Sequence, residues 1–185
     1  MQYFLLGIPE TGQLVNLDGD EGHHLTKVKR CDLGEVIKLF DGNGIQASAE
    51  VMEINKRNTV LKIISRLKLE PAIVKTKLFI VPPKGKNFPL LLEKAVEIGV
   101  DEIFPITSER SIKEYQIEKE TKYEKILLEA SKQCERAYLP HLFPLMSLSE
   151  SLSSFDGLDD LKLFFHTNGG GNHWEQARNL AKGSS

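Results

Sequence analysis

Residues 76–106, TKLFIVPPKGKNFPLLLEKAVEIGVDEIFPI, give the clearest indication of the fold class. It opens with a compact apolar run over 76–81 and continues through a loop of Pro, Gly and Lys over 82–87. Apolar residues at helical spacing follow, and Gly99 suits the C′ position that ends a helix. The apolar run 101–106 then predicts a second strand. A strand, a helix and a strand within about 30 residues form a βαβ unit, which requires a parallel sheet.

The rest of the C-terminal half adds elements to this unit. The first helix is expected to bury one side, made of Leu91, Leu92, Ala95, Val96 and Ile98. A second helix is predicted over Lys119–Cys134, from the spacing of Tyr123, Ile126, Leu127 and Ala130. Ser147 or Ser149 can cap a short helix toward Phe155, and Leu161–His166 predicts a third strand. A parallel sheet of three strands would leave an exposed edge, so this half is expected to be incomplete.

The first seventy residues are predicted to be rich in β-structure. Runs of β-branched and aromatic residues predict strands at Tyr3–Leu6, Val36–Phe40, Ile45–Ile54 and Thr59–Ile64. The two Asx-Gly pairs of Asp41-Gly42-Asn43-Gly44 predict a tight hairpin between the second and third strands. Residues 18–29 are the exception, with one or two helical turns capped by Asp18. Short strands and tight turns indicate a small barrel, and composition shifts at the linker Glu70-Pro71-Ala72.

Composition limits the function classes. Of 185 residues, 41% are apolar and 27% are charged, which is normal for a globular protein. No window approaches 18 consecutive apolar residues and the N-terminus does not resemble a signal peptide, so a cytoplasmic protein without a membrane span is expected. The net charge of −2 disfavours a simple electrostatic nucleic-acid binder, so any RNA contact must come from a local basic cluster. Cys31 and Cys134 are too isolated for a metal knuckle or a disulfide framework.

Two local groups of basic residues could meet that requirement. In the first, Lys27, Lys29 and Arg30 follow the pair His23-His24. Adjacent histidines point in different directions, so no shared metal site is expected, and one ring should pack under the barrel. This group is either a solvated helix face or a phosphate contact. The second group, Lys84-Gly85-Lys86, precedes a helix N-terminus, which is a natural anion site, but lacks the spacing of a Walker loop.

Two arginines lie where an α/β sheet could use them. Arg110 follows the predicted strand 101–106, at the edge where open α/β sheets bind ligands. Arg136 lies near the end of the second predicted helix, three residues after Gln133. Taken singly, each is more often a surface residue than a functional one. No Ser-His-Asp or Cys-His set can be assigned by spacing.

Taken together, these motifs resemble one family in a fixed order. The RsmE family, small-subunit ribosomal RNA uridine N3-methyltransferases, has an N-terminal signature similar to His23-His24-Leu25-x-x-Val28-x-Arg30, Gly34-Glu35 and Leu39-Phe40-Asp41-Gly42. Its middle resembles Lys94-Ala95-x-Glu97-x-Gly99-Val100, Pro105 and Ser108-Glu109-Arg110-Ser111. Its next signature resembles Glu129-Ala130-x-x-Gln133-x-x-Arg136 with Pro140. The resemblance extends from residue 1 to about residue 166, and the ordered set is far more specific than any single piece.

The resemblance implies a fold and an activity. The fold would be a PUA-like RNA-binding barrel over residues 1–70 and a SPOUT-type, trefoil-knotted α/β methyltransferase domain over 71–185. The activity would be S-adenosylmethionine-dependent methylation of N3 of a uridine in 16S ribosomal RNA, by a homodimer that acts on this RNA or the small ribosomal subunit. Neither a metal nor a membrane is implied.

The resemblance also implies roles for individual residues. Arg110 and Arg136 would lie nearest the reacting centre, while the general base cannot be identified. RNA contacts would come from His24, Lys27, Arg30, Lys84 and Lys86. His166 and Thr167 would form the first edge of the cofactor cleft.

The chain departs from the family pattern in three places. The family's Gly-Pro-Glu-Gly-Gly loop and its Leu-Gly…Ile-Leu-Arg segment, which thread the knot and hold the cofactor, are not found in the 185 residues. Gln2 stands near the place of a usual arginine. A C-terminally truncated methyltransferase without the knot segment is therefore expected. Two alternatives stay open: a non-catalytic RNA-binding fragment that cannot bind the methyl donor, and a small-molecule enzyme with the same α/β half.

Overall fold

The structure is a computed structural model that describes residues 2–28, 30–55, 58–83, 85, 87–107, 120–153 and 161–164. Met1–Leu148 forms one compact unit and Ser149–Ser185 forms a second. Within the described ranges, no helix has both the length and the apolar content needed to cross a bilayer. The first unit contains two sheets, one in each half of its sequence.

The N-terminal sheet has five strands, which are β1 (Tyr3–Phe4), β2 (Leu14–Leu17), β3 (Val36–Phe40), β4 (Ile45–Ile54) and β5 (Thr59–Lys68). Their order is β1-β3-β4-β5-β2, with β1 parallel to β3 and the other pairs antiparallel. Alternate side chains of β3, β4 and β5 point into a core that includes Leu39, Ala49, Val51, Leu61 and Ile63. The predicted β-rich half is confirmed. The strand β2 was not predicted, because it has only four residues and two of them, Leu14 and Asn16, are exposed.

The hairpin between β3 and β4 forms as the Asx-Gly pairs predicted. Oδ1 of Asp41 accepts hydrogen bonds from the backbone N–H groups of Asn43 at 2.7 Å and Ile45 at 2.9 Å. Gly42 and Gly44 have φ of 78° and 97°, which only glycine adopts without strain. An added Cβ at Gly44 would also overlap the ring of Tyr138. Asp41 therefore sets the turn, and Gly44 allows Tyr138 to approach it.

A short helical segment lies between β2 and β3. Helix α1 (Gly19–His23) continues directly into one π-helical turn (His24–Val28), and we call the two together the α1–π segment. Asp18 occupies the predicted N-cap position, but its side chain makes no capping hydrogen bond, so this part of the prediction is wrong. Only the backbone carbonyl of Asp18 contributes, accepting from the N–H of Gly22 at 3.2 Å. Buried Leu25 anchors the segment in the N-terminal core.

The second sheet is wholly parallel. Its strands are β6 (Lys77–Ile80), β7 (Glu102–Thr107), β8 (His141–Leu142) and β9 (Met146–Ser147). Strand β7 is central and pairs with β6 on one side. Its first residues pair with β8 and its last residues pair with β9. Pro144 lies between β8 and β9 and cannot donate a backbone hydrogen bond, which explains two short strands instead of one. The predicted third strand, Leu161–His166, is wrong for its described part, since residues 161–164 belong to no strand.

Helices α2 (Asn87–Glu97) and α3 (Glu120–Gln133) form a second core with β6, β7 and β8. The predicted buried side of α2 is confirmed at Leu92, Ala95 and Val96, and Phe88 also belongs to it. Ile98 is 80% exposed, so its prediction as a core residue is wrong. It follows Glu97, the last residue of α2, and lies outside the helix. Gly99, with φ of 90°, ends the helix through bonds from its N–H to Val96 and from Val100 to Ala95.

The buried side of α3 is also as predicted. Tyr123, Leu127 and Ala130 are buried and Ile126 packs against the same core. The second compact unit begins one residue into a further short helix, α4 (Leu148–Ser153), near the predicted capping serines.

Strand β6, helix α2 and strand β7 follow one another in the chain, and the two strands pair in parallel. The βαβ unit predicted from residues 76–106 is therefore confirmed.

Candidate functional site

The carboxyl edge of the parallel sheet is the first candidate site. Strands β6, β7 and β9 end there at Ile80, Thr107 and Ser147. Open α/β sheets bind their ligands outside this edge, because loops and helix N-termini converge there. Val81, Pro82 and Pro83 follow β6 with partly exposed side chains, and Gly85, with φ of 65°, lies in the connection to α2. The N–H groups at the start of α2 favour an anionic group next to these neutral side chains.

Most residues that the sequence placed at this edge lie outside the described residues. Lys84 and Lys86 belong to the connection between β6 and α2, and Arg110 follows β7 in the sequence. His166 and Thr167 come after the last described range. Their roles therefore stay predictions.

The α1–π segment is the second candidate site. Lys27 and Arg30 are exposed and His24 is half-buried, with its ring centroid 6.0 Å from that of Tyr3. His23 is exposed, as expected for one of the two adjacent histidines. Arg30 has a φ of 52°, in the left-handed region that an arginine adopts at some cost. A π-helical turn and a strained backbone are both found more often at functional sites than elsewhere.

Buried polar groups lie beneath this segment. Nδ1 of His24 is buried and has no hydrogen-bond partner within the described part of the chain. Burial, together with the nearby charges of Cys31, Glu21 and Glu35, raises the pKa of Tyr3 to about 12. Burial and the charge of Glu35 also raise the pKa of the Cys31 thiol, which disfavours the reactive thiolate. The Tyr3 phenol and the Cys31 thiol therefore stay in their neutral, protonated forms at physiological pH. Lys27 is an exposed basic side chain of the segment, and the exposed Arg30 follows two residues after its end.

Arg136 lies at the opposite edge of the parallel sheet. Its Nη1 donates to the carbonyl oxygens of Val100 at 2.6 Å and Val96 at 3.3 Å, and its Nη2 lies 2.9 Å from Oδ1 of Asp101. Asp101 directly precedes β7, and six residues at about 3.3 Å each put the carboxyl end of β7 roughly 20 Å away. The described contacts of Arg136 stabilise the end of α2 and the start of β7. Its catalytic role stays a prediction.

A polar junction joins the two halves of the first unit, and its members were not predicted. Lys132 of α3 is 2% exposed, and its Nζ lies 2.7 Å from Oε1 of Glu21 and 2.9 Å from Oε1 of Glu129. Gln2 is also buried, and its Nε2 donates to the carbonyl oxygen of Arg136 at 2.9 Å. Lys132 is about half a turn of α3 away from the apolar side, so periodicity predicts it to be exposed.

No group of three or more potential metal ligands occurs in the described ranges. The two candidate sites are therefore defined by other features, namely an anion-favouring sheet edge and a basic, strained segment of the N-terminal half.

Comparison with family models identifies both halves. Residues 70–185 match the model described as an RNA methyltransferase domain, and residues 17–64 match an RNA methyltransferase PUA domain. This chain belongs to the RNA methyltransferase family. The family resemblance to RsmE is confirmed by relatives called ribosomal RNA small subunit methyltransferase E. The one from Mycobacterium bovis is 25% identical over 151 residues, and the one from Bacillus subtilis is 24% identical over 156 residues.

Solved structures of the family support the fold. A ribosomal RNA small subunit methyltransferase E from Neisseria gonorrhoeae, bound to S-adenosyl methionine, is 25% identical with a TM-score of 0.76 and covers 84% of this chain. The methyltransferase Lpg2936 from Legionella pneumophila, also in complex with S-adenosyl methionine, is 26% identical with a TM-score of 0.77 and covers 90%. The predicted fold class, a PUA-like β-barrel followed by a SPOUT-type α/β methyltransferase domain, is confirmed, and the N-terminal part is a curled, sheet-rich half-barrel.

The matches cover only part of the relatives' own length. The match to the M. bovis protein spans 80% of this chain but 58% of the relative. The match to the B. subtilis protein spans 81% of this chain but 60% of the relative. Among the structures, it covers 65% of the N. gonorrhoeae chain and 70% of the L. pneumophila chain. The absence of the knot segment stays a prediction.

Proposed function

We propose that this chain serves the S-adenosylmethionine-dependent methylation of N3 of a uridine in 16S small-subunit ribosomal RNA. The observation that carries the proposal is the match to an RNA methyltransferase PUA domain followed by an RNA methyltransferase domain. Relatives at 24% and 25% identity are called ribosomal RNA small subunit methyltransferase E, and similar structures were solved with S-adenosyl methionine.

The sheet edge fits the proposed cofactor. Val81 to Pro83 offer partly exposed, uncharged side chains beside the ends of β6 and β7, which suit a flat adenosyl group. We assign His166 and Thr167 to the same cleft from the family resemblance. S-adenosylmethionine supplies an electrophilic methyl group when it is bound. The protein must then hold the uracil with its N3 in line with that group, since alignment of two reactants supplies much of the rate.

The RNA must also be presented in the correct state. N3 of uracil carries a proton and takes part in base pairing, so the base has to be exposed and N3 has to lose its proton. Enzymes that act on a base take it out of its stack, and RNA is usually recognised at loops and splayed bases. We assign Arg110 to the reacting centre, and we assign RNA contacts to His24, Lys27, Arg30, Lys84 and Lys86.

We further propose that residues 1–70 bind RNA and that residues 71–185 serve methyl transfer. The matched ranges 17–64 and 70–185 support this division. A homodimer, which the family resemblance implies, and cytoplasmic residence are part of the same proposal.

The test is transfer of a radioactive methyl group from S-adenosylmethionine to unmodified 16S ribosomal RNA made by transcription in vitro. The product is identified by chromatography of the nuclease digest. We expect 3-methyluridine with the wild-type chain and with Lys62→Ala, which removes an exposed cation of β5, but not with Arg110→Ala. If no 3-methyluridine forms, RNA and S-adenosylmethionine are titrated separately. Binding of RNA without binding of S-adenosylmethionine would support the non-catalytic RNA-binding fragment. A chain that binds neither would contradict the proposal.

A further inference from the structure

The α1–π segment has little stability of its own. Helix α1 has five residues, far fewer than an isolated helix needs, and its N-cap side chain makes no capping bond. The following π-helical turn and the left-handed Arg30 add strain rather than stability. Leu25 supplies an apolar anchor at one point, but the exposed Lys27 and Arg30 need a fixed backbone to present their charges together. A polar tertiary contact adds a further restraint.

Glu21 provides this contact in α1, two residues before the histidine pair. Its Oε1 accepts from Nζ of Lys132 at 2.7 Å, and its Oε2 accepts from the backbone N–H of Phe4 in β1 at 3.3 Å. The side chain of Glu21 is 16% exposed. One carboxylate therefore connects the α1–π segment both to its own sheet and to α3 of the methyltransferase half.

Lys132 is held from the other side by its own helix. Its ammonium contacts Glu129 at 2.9 Å, and its carbonyl oxygen accepts from the backbone N–H of Gln2 at 3.3 Å. Burial disfavours the charged ammonium, but the hydrogen bonds and charges of the two glutamates outweigh it and raise the pKa of Lys132. Lys132 thus stays charged at neutral pH, and its removal would leave Glu21 partly buried without a counter-charge.

We propose that Lys132 is a positioning residue for RNA: through Glu21 it fixes the α1–π segment against α3, and it makes no contact with RNA itself. This inference rests on the proposed RNA-binding role of Lys27 and Arg30. It predicts two separate effects. Loss of Lys132 lowers the fraction of molecules whose segment is correctly placed, and the contacts made in the bound state stay the same.

The first test measures the affinity of the full chain for transcribed 16S ribosomal RNA at several salt concentrations. If Lys132→Met reduces the competent fraction to about one fifth, the Kd rises about fivefold. The slope of log Kd against log salt stays at the wild-type value, whereas Lys27→Met, which removes a direct phosphate contact, lowers it by about one. Lys132→Arg restores most of the affinity. A lowered slope in Lys132→Met would overturn the proposal, because Lys132 would then be a direct contact.

Matched variants separate this effect from general damage. Lys94→Met also removes a lysine that pairs with a glutamate three residues away, since Lys94 lies 2.8 Å from Glu97. This pair is exposed and lies within α2, so the Kd of the Lys94→Met chain for RNA should equal the wild-type value. Glu21→Gln breaks the junction while keeping the shape of the side chain, and provides the test if Lys132→Met does not fold. Both junction changes together should weaken binding no more than either alone.

Hydrogen exchange tests the positioning without RNA. The N–H groups of Gly22 and Cys31, bonded to Asp18 and Leu25, should exchange faster in Glu21→Gln, while that of Ile45 in the β3–β4 hairpin should not change. Unchanged exchange and unchanged RNA affinity in both junction variants would overturn the inference alone. A wild-type chain that binds no RNA would overturn the proposed function, and the exchange measurement would still show whether the junction holds the segment.

Discussion

Replacing Arg136 by Met tests whether this residue supports the fold or the chemistry. The change removes three described interactions, with the carbonyl oxygens of Val96 and Val100 and with Asp101, and keeps an unbranched side chain. Breaking a fully buried ion pair costs about 3–5 kcal/mol. Here the side chains of Arg136 and Asp101 are 16% and 22% exposed, and Asp101 keeps its bond from the N–H of Thr76 at 2.9 Å. We therefore expect the free energy of unfolding to fall by about 2–3 kcal/mol.

Urea denaturation measures this change. With a slope of about 2 kcal/mol per molar, the midpoint should fall by about 1–1.5 M. Arg136→Lys should recover only part of the loss, because an ammonium lacks the planar fork that reaches several acceptors. In a double-mutant cycle with Asp101→Asn, the coupling energy should be about 1 kcal/mol or more. An Arg136→Met chain with the wild-type midpoint and no methyl transfer would contradict the structural role of Arg136 and favour the catalytic one.

Three further predictions concern stability. Gly44→Ala should cost about 2–3 kcal/mol in thermal unfolding, because the new methyl group combines a φ of 97° with overlap of Tyr138; Gly12→Ala, at φ 89° but with space in the described structure, should cost about 1 kcal/mol. The pKa of Tyr3 is raised from 10 to about 12, so its protonated form contributes roughly 2–3 kcal/mol to the free energy of unfolding below pH 10, and this contribution is lost between pH 10 and 12. If Tyr3→Phe lost the same free energy of unfolding over this pH range, the prediction would be contradicted. Leu92→Ala should cost about 2–5 kcal/mol in urea, because the side chain is fully buried, and a cost below about 1 kcal/mol would contradict the described core.

Local patterns predicted the elements whose cause is local. The β3–β4 hairpin follows from Asp41 and its glycines, and the end of α2 follows from Gly99, because each needs only neighbouring backbone groups. The strands β8 and β9 could not be predicted in this way. Each has two residues, and each is a strand only because β7 provides the hydrogen-bonding partner.

The same distinction between local and long-range causes applies to the candidate site residues. The pair His23-His24 and the cations Lys27 and Arg30 were found from the sequence, because they are close together in it. The left-handed backbone of Arg30 was not, since nothing in the residue type requires it. Nor was the position of Arg136 at the amino edge of the sheet, which depends on its pairing with Asp101, 35 residues earlier.

The βαβ unit, the β-rich N-terminal half and the ordered motifs of an RNA methyltransferase could all be predicted before the structure, because helical spacing, turn residues and motif order are visible along the chain. The burial of Lys132 and its contact with Glu21, 111 residues away in the chain, depend instead on tertiary packing. Periodicity places Lys132 on the exposed side of α3. Its burial results from the packing of that side against the N-terminal half, and the energy of a buried charge depends on which partner the fold brings to it.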